Sequence, residues 1–214
     1  MDTKKKILNT ARILYNKKGL NNVTARMICE NLKISLGSYS YHYPDKKVII
    51  KSLYIELQQE LQNMYSVVKN EKPSIITYLD THKELFKIQS KYRFFYLNLF
   101  EILSNYETIK TDFIQNTSNE RVLAEQILEY YIKKGILIRS LNKKNIERII
   151  NVGQILNNFW AIDAEISSNK NIELSYYMEI CCGLLEPYLE SESLKKYHEY
   201  FSRIEKTVPK KDYN

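Results

Sequence analysis

The chain has 214 residues, 27% of them charged, with 5 glycines, 4 prolines and a formal net charge of +7. No run approaches the ~18 apolar residues of a membrane span, and no apolar stretch of signal-peptide type opens the sequence. Cys29, Cys181 and Cys182 make neither a disulfide framework nor a metal-ligand spacing, so a cytoplasmic protein with no cofactor, no metal and no membrane partner is expected.

The scarcity of glycine and proline predicts an all-α chain of about nine or ten helices with short connections. Residues 3–18 place Ile7, Leu8, Ala11, Leu14 and Tyr15 on one helical face. Gly19 stands where that helix would stop. Thr24 is an N-cap candidate for a second helix with Met27, Ile28 and Leu32 inward. Ser35 caps a short third helix, which Pro44 ends. Asp45 caps a fourth, running to about Asn70 with Leu53, Leu57, Leu61, Met64 and Val68 on one side. Further helices are predicted over 74–89, 92–105, 107–134, 143–168, 173–189 and 192–206, with a disordered tail over 209–214. Gly135 stops the long 107–134 segment, whose polar middle, Gln115 to Glu120, predicts a kink or break.

Charge is unevenly placed. Residues 1–56 hold 11 Lys/Arg against 4 Asp/Glu, so the whole excess lies in the first quarter and the rest is neutral. A basic head on a neutral body suits a polyanion. A solvated basic surface, or attraction to an anionic membrane, is the alternative. Helix, short turn and short helix inside that basic segment form the arrangement of a helix-turn-helix.

The stretch from Thr24 to Lys46 resembles the DNA-binding domain of TetR-family repressors. The resemblance rests on Thr24, Arg26 and Ile28, then Ser35, Gly37, Tyr41, His42, Tyr43 and Lys46, and covers roughly residues 5–55. It implies a DNA-binding head (1–46, with the fourth helix, 46–70, as connector) and a ligand-binding and dimerisation body (47–208). It also implies a sequence-specific regulator: a homodimer that represses from a palindromic double-stranded operator and is released by a small-molecule effector.

The chemistry of the residues agrees with such roles. Leu36, Gly37, Ser38 and Tyr41 suit base edges: Gly37 allows close approach, Leu36 fits a thymine methyl, and Ser38 can exchange hydrogen bonds. Thr24, Arg26, Tyr41, His42 and Lys46 suit phosphates, Lys46 with help from a helix N-terminus, and Ser35, the cap of the third helix, belongs to the same DNA-binding set. His42 can instead pack beneath the recognition helix. Three departures stand out. Ser40 replaces the family's frequent tyrosine, and Leu36 a frequent basic residue. Lys33 stands where the family has glycine, and a left-handed non-glycine residue there costs about 1 kcal/mol.

In the body, aromatic residues crowd positions 80–165. A plain aromatic core explains most of them. The resemblance implies an effector pocket, for which Tyr96, Phe100, Tyr130, Asn157 and Trp160 are the candidates. Two apolar stripes, Ile149, Gly153 and Leu156 on one helix and Leu174, Met178, Cys181 and Leu185 on another, suit a four-helix dimer interface, or complete the chain's own core. Two other readings remain open: a basic helical adaptor that binds a protein or anionic membrane without reading DNA, and a small helical enzyme. No nucleophile elbow or phosphate loop supports the latter.

Overall fold

The computed structural model describes residues 2–68, 72–167 and 174–207. Among them are eleven α-helices: α1 (Thr3–Lys18), α2 (Ala25–Leu32), α3 (Leu36–His42), α4 (Lys46–Val68), α5 (Ile75–Lys91), α6 (Arg93–Leu97), α7 (Leu99–Asn105), α8 (Glu107–Lys133), α9 (Lys143–Ile166), α10 (Leu174–Gly183) and α11 (Ser191–Thr207). The only β-type pairing among the described residues is a single antiparallel bridge between Leu137 and Leu189. The chain is all-α, as its sequence predicts. The expected tail lies outside the described residues.

Local chemistry sets the helix ends. Gly19, at φ 84°, closes α1 with its N–H on the Tyr15 carbonyl at 3.0 Å. Asp45 Oδ1 accepts from the Val48 N–H at 2.9 Å and starts α4. Gly135, at φ 67°, follows the end of α8 and lets the Ile136 N–H return to the Tyr131 carbonyl at 2.9 Å.

Packing divides the chain into two compact units, Met1–Asn63 with Ile88–Ile114, and Met64–Lys87 with Gln115–Asn214. The motif alone suggests a boundary at residue 46. Compactness draws a different line, because most of α4 and the segment 88–114 pack with the head.

In unit 1, α1 buries the five residues its period assigns inward. Tyr15 meets Phe94 with centroids 5.3 Å apart, and Tyr54 stacks on Phe95 at 5.5 Å. Asn16 ties α1 to the α5–α6 corner: its Nδ2 donates to the Lys91 carbonyl, and its Oδ1 accepts from the Phe94 N–H, both at 2.8 Å. In unit 2, Trp160 lies between Phe86 at 5.6 Å and Tyr177 at 5.7 Å. Tyr177 in turn donates to Asp163 at 2.7 Å.

α8 runs unbroken from Glu107 to Lys133, so the break offered as one outcome for its polar middle does not occur. Within that middle, Thr117 and Glu120 continue the half-buried face of Ala124, Leu128 and Tyr131, while Ser118 and Val122 face solvent. The polar residues mark a change in what the inner face carries, not a break in the backbone.

Candidate nucleic-acid interface

The recognition unit is built from two capped helices. Thr24 Oγ1 accepts from the Met27 N–H at 3.3 Å and starts α2. Ser35 Oγ accepts from the Ser38 N–H at 3.1 Å and starts α3. Both caps are those the sequence predicts. The turn between the helices passes through Lys33 at φ 54°, ψ 44°, the left-handed conformation expected to be strained for a lysine. Lys33 N–H closes α2 on the carbonyls of Cys29 and Glu30.

Tyr39 and Tyr43 anchor α3 from below: both are buried, and Tyr43 Oη donates to the Lys4 carbonyl at 3.4 Å. That anchoring turns the opposite side outward. Leu36 is 53% and Tyr41 85% exposed, large apolar surface on a helix of seven residues. Gly37 is exposed, and a Cβ there would meet nothing nearer than Ser35 Oγ at 3.8 Å, so the backbone presents an open face. Ser38 is half-buried, and His42 sits edge-on to Tyr41 with centroids 5.1 Å apart. Thr24, Arg26 and Ser35 are exposed, as are Lys4, Lys5, Lys6, Lys17, Lys18, Lys33, Lys47 and Lys51.

Lys46 departs from expectation. Its ammonium donates to the Leu20 carbonyl at 2.6 Å and lies 5.8 Å from the Tyr15 ring centroid. Burial lowers its pKa. It lines a cavity of about 280 Å³ within unit 1, with Glu101, Asn105 and Tyr106. Asn21 donates to both Glu101 carboxylate oxygens there, at 3.1 and 3.2 Å. The side chain expected to clamp phosphate is turned into the packing between the start of α4 and α7. Its neighbour Lys47 borders the same cavity but is exposed. The sequence has two adjacent lysines and no signal to separate them.

The body candidates separate. Tyr96 is buried in unit 1, but Phe100 is 86% exposed, since α7 turns Leu99 and Ile102 inward instead. Tyr130 is 42% exposed beside buried Leu128 and Tyr131, with the Lys134 ammonium 5.3 Å from its ring. Phe100 and Tyr130 therefore do not line an interior pocket of the chain. Asn157 and Trp160 share α9; Asn157 accepts from the Cys181 thiol at 3.7 Å, and Trp160 is buried.

The expected dimer stripe also resolves differently. Met178, Cys181 and Leu185 are buried in unit 2, at 2%, 3% and 0% exposure, and so are unavailable to a second chain. Ile149, Gly153 and Leu156 are half-buried, and the Leu174 side chain lies outside the described residues. The exposed apolar stripe of α9 is instead Val152, Ile155, Phe159 and Ile166, and α10 adds Tyr176 and Ile180. Burial pushes the Cys181 thiol up to about 12 and that of Cys182 well up too, so both stay protonated at neutral pH. Glu120 and Tyr65 are half-buried in unit 2, where burial raises the Glu120 carboxyl to about 7 and the Tyr65 hydroxyl well above its usual value.

A short capped helix with an exposed face, set in a basic all-helical chain, defines a helix-turn-helix DNA-binding protein. The TetR family model, described as a bacterial transcriptional repressor, matches residues 56–197. The chain belongs to the TetR family of DNA-binding transcriptional regulators, which are not enzymes. That match falls mainly on the body, whereas the residues that resemble the family in sequence lie in the head. Similar solved structures agree on the fold. A TetR-family transcriptional regulator from Marinobacter aquaeolei VT8 is 20% identical with a TM-score of 0.83, covering 95% of this chain and 98% of its own. A putative transcriptional regulator from Saccharomonospora viridis, solved in complex with choline, is 14% identical with a TM-score of 0.68, covering 87% and 97%. The fatty acid degradation regulator of Bacillus halodurans is 12% identical with a TM-score of 0.64, covering 86% and 95%. No curated protein matches the chain. No described helix is long and apolar enough to cross a membrane.

Proposed function

We propose that the protein is a homodimeric repressor that reads a palindromic operator through α3 and is released by a small organic effector held in the body. The observation that carries the reading is the exposed face of α3. Burying Tyr39 and Tyr43 fixes that helix, and leaves Leu36, Gly37 and Tyr41 outward where nothing in the chain needs them. Leu36 and Tyr41 offer apolar contact to thymine methyls, and Gly37 lets the helix approach. Phosphate contacts come from Thr24, Arg26 and Lys47, with Ser35, Ser38 and His42 beside them; Lys46 instead holds the head against α7. The domains divide by role: residues 1–46 read DNA and the rest holds effector and partner.

The partner chain docks on the exposed stripe of α9 with Tyr176 and Ile180 of α10. A symmetric pair of such faces makes a four-helix interface. It would set two recognition helices at the spacing of successive major grooves, about 34–36 Å. An effector preferring another spacing weakens DNA binding by its differential affinity for the two states. The fold's capacity to hold a small organic molecule is supported by the Saccharomonospora viridis regulator, solved in complex with choline.

The test is selection of bound fragments from random duplex DNA by the purified protein. A palindromic consensus whose preference changes in Tyr41→Ala supports the reading. Recovery of fragments without a consensus overturns it.

A further inference from the structure

Resting on the reading of DNA by α3, we propose that two basic clamps bracket this helix, Lys33 ahead of it and Lys4, Lys5 and Lys6 at its far end, and grip backbone phosphates outside the bases that α3 reads. All four lysines belong to unit 1.

Geometry places both clamps. Lys33 lies two residues before Ser35, the cap of α3, and its N–H is held by the carbonyls of Cys29 and Glu30. At the other end Tyr43, which closes α3, is buried and donates from its hydroxyl to the Lys4 carbonyl at 3.4 Å. That bond ties the first turn of α1 to the end of the recognition helix. α3 has seven residues, so its ends are about 10 Å apart. The exposed Leu36, Gly37 and Tyr41 belong to the stretch between them.

The four ammonium groups carry no partner. Lys4, Lys5, Lys6 and Lys33 are exposed, and none makes an ion pair or a side-chain hydrogen bond among the described residues. Acids stand close in sequence, Asp2 before Lys4 and Glu30 before Lys33, yet neither pairs with them. Lysines elsewhere do pair: Lys87 with Glu84, Lys91 with Glu60, Lys110 with Glu107, Lys143 with Glu125 and Lys196 with Glu192.

Such an arrangement is unfavourable in the absence of a polyanion. Three cations in the first turn of α1 oppose its dipole, no acid offsets them there, and the Asp2 side chain makes no cap. Lys33 takes a left-handed conformation that glycine would adopt without strain. Two departures of the same sign, at the two ends of one exposed helix, point to a single extended anion. Duplex DNA is one: it carries a negative charge per ~1.7 Å of axis, so phosphates continue on both sides of any bases that are read. A compact anion would meet one clamp and leave the other empty.

Three variants separate the clamps from bulk charge. They are Lys33→Gly; Lys4→Ala with Lys5→Ala and Lys6→Ala; and, as a control in unit 2, Lys83→Ala with Lys133→Ala and Lys144→Ala, all three exposed. Affinity is measured at four salt concentrations for a duplex carrying the site recovered by selection and for one of unrelated sequence. Each phosphate contact contributes about 0.9 to the slope of log affinity against log salt. The triple head variant is expected to lose about 2 to 3 from that slope and Lys33→Gly about 1, on both duplexes alike and with the consensus unchanged. Arginine at positions 4, 5 and 6 should keep the wild-type slope. Ethylation of phosphates flanking the consensus should weaken wild type and leave the triple head variant unaffected. Circular dichroism spectra like that of wild type show that the variants fold. Slopes unchanged in both head variants, or reduced as much by the control, overturn the proposal, and an unchanged slope in one overturns the clamp it tests. Loss of binding to phosphatidylglycerol vesicles in the triple head variant, with DNA slopes unchanged, overturns it in favour of a membrane. Absence of any consensus in wild type sinks the reading by α3, while the slopes on unrelated duplex still decide the clamps.

Discussion

α2 and α3 keep Arg26, Leu36, Gly37 and Tyr41 outside and use Thr24 and Ser35 to close helix ends. Unit 2 does the reverse with its candidates: Trp160, Met178, Cys181 and Leu185 are buried within it, and Asn157 is half-buried. The contrast reflects what the head must meet. A duplex is large and charged and is read from the surface, so exposed Leu36, Tyr41 and Arg26 cost the fold little.

The largest test of this contrast compares the two apolar faces of the last long helices. Leu185→Glu places an unpaired charge at a fully buried position and should cost several kcal/mol, abolishing a cooperative melt. Ile155→Glu, at 59% exposure, should fold like wild type but sediment as a monomer. A dimer unaffected by Ile155→Glu would move the interface off the exposed stripe of α9.

The next effect is a pH dependence. The Glu120 carboxyl is raised from 4.5 to about 7 in the folded state, so it favours folding below 4.5, and that contribution is lost as pH rises through about 7. Glu120→Gln should therefore stabilise the protein at pH 8 by up to about 3 kcal/mol, with the gain vanishing toward pH 4; partial access of solvent makes this a ceiling. His82 acts in the opposite direction. Burial lowers its pKa from 6.5, so stability is lost as pH falls below 6.5, where the unfolded chain takes up a proton that the folded one refuses. Denaturant titrations across pH 4–8 check both. A Glu120→Gln difference that does not change with pH would show that the carboxyl is solvated after all.

On the DNA side, Arg26→Ala should reduce the slope of log affinity against log salt by about 1, the share of one phosphate contact. Lys46→Ala should leave that slope nearly unchanged and lower the melting temperature, since its ammonium holds the Leu20 carbonyl. Binding isotherms at four salt concentrations separate the two, and equal slope changes would return Lys46 to the phosphate list. The smallest effect belongs to the turn. Lys33→Gly relieves a left-handed lysine and should stabilise the protein by about 0.5–1 kcal/mol, less what glycine adds to unfolded-chain entropy. A lower denaturation midpoint would show that Lys33 makes contacts worth more than its strain.

The head was legible because its signals are local. Thr24 and Ser35 cap the helices that follow them within three residues, and Gly19 ends the helix before it. Such chemistry depends on neighbours in sequence, which the sequence states. The faces of α9 and α10 were not legible to the same degree. Their apolar residues lie nearly all round, so periodicity offers more than one stripe: Met178, Cys181 and Leu185 went to the core, while Ile155, Phe159 and Ile180 stayed out. Phe100 and Tyr130 were aromatic in an aromatic region, and only the packing of Leu99, Ile102, Leu128 and Tyr131 decided that they face solvent.

By itself the sequence determined an all-helical chain, the ends of most of its helices, a basic head and the residues of a helix-turn-helix. These follow from dihedral preference, capping and charge, which act over a few residues. The tertiary structure decided which of two adjacent lysines is tied inward, which stripe of α9 is left uncovered, and that Met178, Cys181 and Leu185 go to the core. Each of those depends on what another helix brings to the same place, and that is set by packing across tens of residues, which no local pattern records.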